Sequence, residues 1–152
     1  LRKRKLPENG TWTRRTSRFA GRWTYRAIDS AGDTVEFRFG ERRDLPAAKR
    51  FFRQALEHHD RPDCVVIDGS QTNYEAIVSC DITHRLQTKA THATKPIAIR
   101  RSQYLNNRIE QDHRAIKRRF RPMLGFKSTP SANIILSGIE MVHMMRKQQA
   151  SL

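Results

Sequence analysis

Apolar side chains recur along this chain at two spacings, every second residue and every third or fourth, and the switches between them outline its elements. Trp23, Tyr25, Ala27 and Ile28 fall in near alternation within 21–28, which predicts a strand. Asp29-Ser30-Ala31-Gly32-Asp33 is turn chemistry, and Val35, Phe37 and Phe39 then share one face of a second strand over 34–39. Together they predict a β-hairpin. Ala48, Phe51, Phe52, Ala55 and Leu56 form the core stripe of a helix from Leu45 to about His58, with Asp44 as N-cap and Pro46 tolerated in the first turn. Cys64-Val65-Val66-Ile67 is a continuous apolar run, the mark of a strand covered on both faces. It ends at Asp68-Gly69-Ser70, after which Thr72 or Asn73 opens a short helix through Val78. Residues 81–95 show little periodicity and read as a loop, and Ile97 to Arg100 reads as a short strand.

The next helix has two chemical faces. Leu105, Ile109, Ile116 and Phe120 recur at helical spacing on its buried side, while Asn106, Glu110, His113, Arg114 and Lys117 gather along the opposite stripe. Thr129-Pro130 opens a last helix, with Ile135, Ile139, Val142 and Met145 expected to pack inward. Hairpin, helix, buried strand, helix, strand, helix fits an α/β layer fold in one domain over 21–148, with a short tail at 149–152. Before residue 21 the pattern fails. Residues 1–10 read as a basic arm without order, and 11–20 lack apolar alternation, so 1–20 is expected to be a disordered or frameshifted segment.

Charge sharpens this outline. The chain carries a net +15, concentrated at 1–26, which is +8, and 100–121, which is +6, while 27–99 sums to −1. Two separate basic blocks suit a nucleic-acid footprint better than a uniformly charged surface. Cys64 and Cys80 have no paired-ligand spacing and imply free thiols in a reducing compartment; a metal set with His84 is disfavoured because no second ligand pair completes it. No apolar stretch approaches membrane-spanning length and no signal peptide is visible, so a cytoplasmic, nucleoid-associated bacterial protein is expected. His58-His59 reads as a helix-end cap, Trp23 as core, and Trp12 as an accident of the degenerate segment.

The run Tyr104-Leu105-Asn106-Asn107-Arg108-Ile109-Glu110-Gln111-Asp112-His113-Arg114-Ala115-Ile116-Lys117-Arg118-Arg119, continued through Arg121-Pro122-Met123-Leu124-Gly125-Phe126-Lys127-Ser128, resembles the signature of DDE transposases of the insertion-sequence-six family. The resemblance extends from about Gly21 to about Gln148. It implies an RNase H-like fold, with a mixed sheet flanked by helices. It further implies DNA strand cleavage and strand transfer with Mg2+, DNA as partner and assembly into a homo-oligomer. Glu110 corresponds to the family's third catalytic acid, Lys117 to its DNA-contacting cation, and Asp68 to its second catalytic aspartate. Asp68 and Glu110 are therefore the expected catalytic and metal-binding pair, and Arg114, Lys117, Arg118 and Arg121 the expected DNA-binding set. The interval from Asp68 to Glu110 is longer than is usual in the family, and the extra length is assigned to the 81–95 loop.

The first acid is missing. The family strand reads Asp-Glu-Thr-Tyr, whereas the aligned residues here are Thr13-Arg14-Arg15-Thr16, and no acid occurs between Glu8 and Asp29. Trp12 has a single codon and every Thr13 codon begins AC, so the triplet that spans them one nucleotide earlier encodes aspartate. Permitted codons for Thr13 to Arg18 give Asp-Glu-Thr-Tyr-Ile-Lys in that frame. We read this as a frameshift through the first catalytic strand, corrected near Phe19–Ala20. Asp29 is expected to stay in the hairpin turn rather than replace the lost acid. The expectation is thus a truncated, inactive DDE transposase domain, or alternatively a non-enzymatic DNA-binding remnant. A single Thr13→Asp change is expected not to rescue it, because the strand around it would be mispaired.

Overall fold

The computed structural model describes residues 10–19, 21–88, 95–102, 111, 114–115, 118 and 129–147. Five strands form one mixed sheet: β1 (Thr11–Phe19), β2 (Arg22–Ile28), β3 (Thr34–Gly40), β4 (Cys64–Ile67) and β5 (Ala98–Arg101), in the order β3-β2-β1-β4-β5. β1 pairs antiparallel with β2 and parallel with β4, and β4 pairs parallel with β5. The helices with full bounds are α1 (Leu45–His58), α2 (Gln71–Gln87) and α3 (Thr129–Arg146). Gln111, Arg114, Ala115 and Arg118 are also helical, as expected for the segment between β5 and α3.

The hairpin and α1 follow the sequence closely. Asp29 Oδ1 accepts from Ala31 N and Asp33 N, which closes the hairpin turn and keeps that acid there. Asp44 Oδ1 accepts from Ala47 N at 2.9 Å and satisfies one of the amides that α1 leaves open at its start. The helix then buries the five apolar residues of its predicted stripe. Asp44→Ala should cost about 1 kcal/mol, read as a fall of roughly 2–4 °C in the thermal midpoint. An unchanged midpoint would show that this cap bond contributes nothing.

β1 corrects the reading of 1–20. Residues 11–19 form the central strand rather than a disordered segment; residues 1–9 lie outside the described residues. The strand is bonded on both sides, to β2 from Thr13↔Ile28 to Phe19↔Arg22 and to β4 at Thr11↔Cys64, Trp12↔Val65 and Thr13↔Val66. Two flanking ladders can impose an extended conformation where the side-chain pattern does not. Gly21, at φ +81°, takes the left-handed conformation required at the β1–β2 connection. The mispairing expected around Thr13 is therefore absent. Trp12, read as an accident of the degenerate segment, is 1% exposed in the main core, whereas Trp23 is only partly buried against that core.

α2 extends seventeen residues, so 81–87 is helix where a loop was expected, and 89–94 lie outside the described residues. Its buried positions are Asn73, Ala76, Ile77, Cys80 and Asp81, which keep helical spacing but begin and end on polar side chains. That chemistry hid the stripe from a hydrophobicity reading. Buried Asp81 accepts from Arg61 Nε at 2.7 Å and from Ile97 N at 3.1 Å, tying the helix to the approach to β5.

The two sheet faces differ in character. Trp12, Tyr25, Ala27, Val65 and Ile67 pack with α1 and α2 in an apolar core. Side chains alternate along a strand, so Arg26 faces the other way, and there Arg26 Nη2 meets Glu140 Oε1 of α3 at 3.0 Å, fully buried. Thr34 Oγ1 donates to the same carboxylate at 3.0 Å. The inward side of α3 is therefore Ile139, Glu140 and His143, with Ile135 half-buried. Val142 and Met145, expected inside, are exposed. A charged anchor replaced part of the apolar one.

Candidate active site

Asp68 follows β4 directly, at the carboxyl end of a parallel strand, where α/β folds present ligand-binding groups. Its Oδ1 accepts from Asn73 Nδ2 at 2.9 Å, and its Oδ2 lies 3.6 Å from Arg43 Nη2. Arg43 also lies over the Trp23 ring at 5.1 Å. On the opposite flank, Ser102 N donates to Ile67 O, and Arg101 is held by Gln71 Oε1 at 3.0 Å and the Tyr74 ring. One carboxylate thus stands within a basic rim.

The register places a β1 position beside the approach to Asp68. Thr13 lies opposite Val66, two residues before Asp68 and on the same side of the sheet by alternation. One strand spacing and two residues of rise put the Cα atoms of positions 13 and 68 about 8 Å apart. Carboxylates at both positions could share an ion. Thr13 supplies a hydroxyl instead.

Beside it, Arg14 is a fully buried cation. Its guanidinium carbon lies 4.8 Å from the Phe52 ring centre, 5.1 Å from Tyr25 and 5.4 Å from Phe51. None of its three side-chain nitrogens finds a hydrogen-bond acceptor among the described residues. Burial lowers its pKa to about 10, opposed by Tyr25 and by Asp68, and assisted by Arg43. Asp68 therefore sits in a field set by two arginines, Arg14 and Arg43. Neither was singled out in the sequence. Arg43 reaches Asp68 only through the turn into α1, and Arg14 had been read as out-of-frame composition.

Magnesium takes several oxygen ligands, and two-ion phosphoryl transfer needs carboxylates from more than one element. The described residues do not fit such a centre. Asp68 is engaged by Asn73 and Arg43, and no group of three or more His, Cys, Asp or Glu side chains among the described residues could hold a metal. Glu110, Lys117 and Arg121 lie outside the described residues, whereas Arg114 and Arg118 are exposed one helical turn apart. Cys64 and Cys80 are buried free thiols, and desolvation raises both pKa values, which keeps them protonated near neutrality.

Such a sheet, with its acid at the end of β4 beside a long central β1, defines an RNase H-like domain. The structure matches the catalytic core domain of BIV integrase with a TM-score of 0.60 at 15% identity, covering 95% of this chain and 88% of that one. It also matches a chain of the simian T-cell lymphotropic virus intasome in complex with PP2A regulatory subunit B56 gamma, with a TM-score of 0.52 at 16% identity over 90% of this chain and 49% of that one. The family model for the DDE domain of IS240-type transposases matches residues 16–149, and the chain belongs to that family. It is 32% identical over 130 residues to the transposase for insertion sequence-like element IS431mec of Staphylococcus aureus strain Mu50. The same identity holds for the transposase for insertion sequence element IS257 in transposon Tn4003 of Staphylococcus aureus. In both cases 84% of this chain is aligned, and it spans about half, 53%, of the relative's length.

Proposed function

We propose that this chain is the catalytic-domain portion of an insertion-sequence transposase that binds DNA but lacks the carboxylates for cleavage and strand transfer. The observation that supports this reading is the pairing of Thr13 beside Val66, which puts a hydroxyl near Asp68 at the position where the family resemblance implies an acid. Arg43, 3.6 Å from Asp68, supports the same reading because it engages the acid that remains. Asp68 and Glu110 are the surviving catalytic pair in this proposal. Magnesium binding is weakened beyond use. The alternative is a non-enzymatic basic DNA-binding remnant of a transposase, in which Asp68 and Glu110 have no ligand role.

Arg114, Lys117, Arg118 and Arg121 form the proposed DNA contact, on the segment where eight of the thirty Lys and Arg residues crowd into 100–121. Such binding is dominated by phosphates and weakens steeply with salt. It would bring the chain to the nucleoid and permit assembly on DNA as a homo-oligomer. No described helix is long and apolar enough to cross a membrane. Lys117→Ala with Arg118→Ala should lower the slope of log affinity against log salt by roughly one unit per lost contact, measured by fluorescence anisotropy on a duplex. An unchanged slope would remove this helix from the interface, and absence of any binding would sink the functional reading.

A further inference from the structure

Between the end of β3 and the first turns of α1 lies an open cleft of about 470 Å³, lined in part by Tyr25, Arg38, Phe39, Arg42 and Arg50. Two carboxylates also border it, and both are engaged. Glu41 meets Arg22 at 3.0 Å, and Asp44 caps α1 through Ala47 N. Arg38 is partly used by Gln54 Oε1 at 3.3 Å, whereas Arg42 and Arg50 are exposed and have no carboxylate partner among the described residues. Arginines therefore line the cleft from the β3 end, from the connecting turn and from α1, beside Tyr25, which shares a sheet face with Arg38.

Backbone geometry links this cleft to the candidate active site. The Tyr25 hydroxyl donates to Arg42 O at 2.8 Å and pins the turn. Consecutive arginines then serve two places: Arg42 lines the cleft, while Arg43 crosses Trp23 to reach Asp68. Arg42 and Arg50 line the cleft, and the residue after Arg42 reaches Asp68, so cationic side chains lead from the cleft toward the acid. A linear polyanion fits this track, since planar guanidinium forks bind phosphate oxygens in pairs and successive cations can follow successive phosphates.

We infer that the β3–α1 cleft seats the phosphodiester backbone of a DNA strand leading away from Asp68, as a second contact separate from the Arg100–Arg121 block. This rests on the proposed DNA-binding function and adds a location to it. The test is fluorescence anisotropy across a salt series with the whole chain, Arg42→Ala/Arg50→Ala, Arg42→Lys/Arg50→Lys and Lys117→Ala/Arg118→Ala. The alanine pair at 42 and 50 should lower the salt slope by about 1.8, two phosphate contacts on duplex DNA, while the lysine pair retains it. If that alanine pair leaves the slope unchanged while the pair at 117 and 118 lowers it, the cleft inference fails and DNA binding stands. A loss shared equally by the lysine pair also overturns it, because lysine keeps the charge. Tighter binding of RNA than DNA of equal length would overturn the assignment to DNA, and no binding by any variant would overturn both readings.

Discussion

Replacing Thr13 to Arg18 by Asp-Glu-Thr-Tyr-Ile-Lys should convert a chain with no detectable magnesium-dependent strand transfer into one with measurable activity on precut transposon ends. The expected rise is on the order of 10²-fold or more, the scale at which restored alignment of reacting groups acts. The backbone is already placed for the change, since β1 is paired in register on both sides. An aspartate at position 13 would share the sheet side of Asp68 by alternation. A glutamate at position 14 would remove the buried cation and offer Arg43 a second carboxylate, loosening its hold on Asp68, now 3.6 Å away. Thr13→Asp alone supplies the ligand but leaves Arg14 in place, so its activity should fall between the two. Calorimetric titration with Mn2+ should rank the three chains in the same order without depending on recognition of transposon ends. Robust transfer by the unrepaired chain, abolished by Glu110→Gln, would refute the degenerate centre while supporting the family's chemistry.

Arg14→Met should make the protein more stable, an unusual direction for a substitution at a fully buried position. Two effects compete. Each of three aromatic faces near 5 Å attracts the guanidinium, by about 0.5–2 kcal/mol for a cation–π contact. Against them stands the desolvation of an ion, several kcal/mol even after relaxation, with three buried nitrogens lacking acceptors among the described residues. One cation cannot draw full benefit from three rings at once, so desolvation wins. Methionine has similar reach and suits an aromatic surround. A gain of about 2 kcal/mol is expected, or roughly 4–8 °C in thermal midpoint.

The pH dependence gives an independent check. The folded-state pKa is depressed to about 10, below the ordinary guanidinium value, so between the two the unfolded chain holds more of this proton. Stability from this group therefore rises as pH passes upward through about 10. The advantage of Arg14→Met should narrow correspondingly above that pH. A destabilised variant, or a gap that widens with alkali, would show that the aromatic contacts outweigh the cost of burial.

What could be read from sequence divides along a physical line. α1 was legible to its cap because its signals are local: Asp44 before Leu45, and apolar residues at helical spacing. β4 and Asp68 were legible because a continuous apolar run ending at an acid and a glycine marks a buried strand and its exit. β1 was not, because partners on both sides impose its conformation while Arg14 occupies a core position. The later turns of α2 were hidden by Cys80 and Asp81 on the buried face, and Val142 and Met145 were misplaced because Glu140 anchors α3. At the candidate site, the acid could be named in advance but its cationic neighbours could not. Arg14, Arg43 and Asp68 converge only through the sheet and the turn before α1.

The buried contact of Thr34 and Arg26 with Glu140 also orders events during synthesis. Thr34 and Glu140 are separated by 106 positions in the chain. At 5–20 residues per second, β2 and β3 leave the ribosome on the order of ten seconds before the helix that neutralises Arg26. Through that interval the hairpin carries a cation facing a side of the sheet that has no cover yet, and water must solvate it. Among the described helices α3 meets Arg26 on that side, while α1 and α2 can pack on the opposite face much earlier. The nascent domain should therefore pass through a half-covered stage, open to chaperones on one face only, and a ribosome stalled before Glu140 would hold it there.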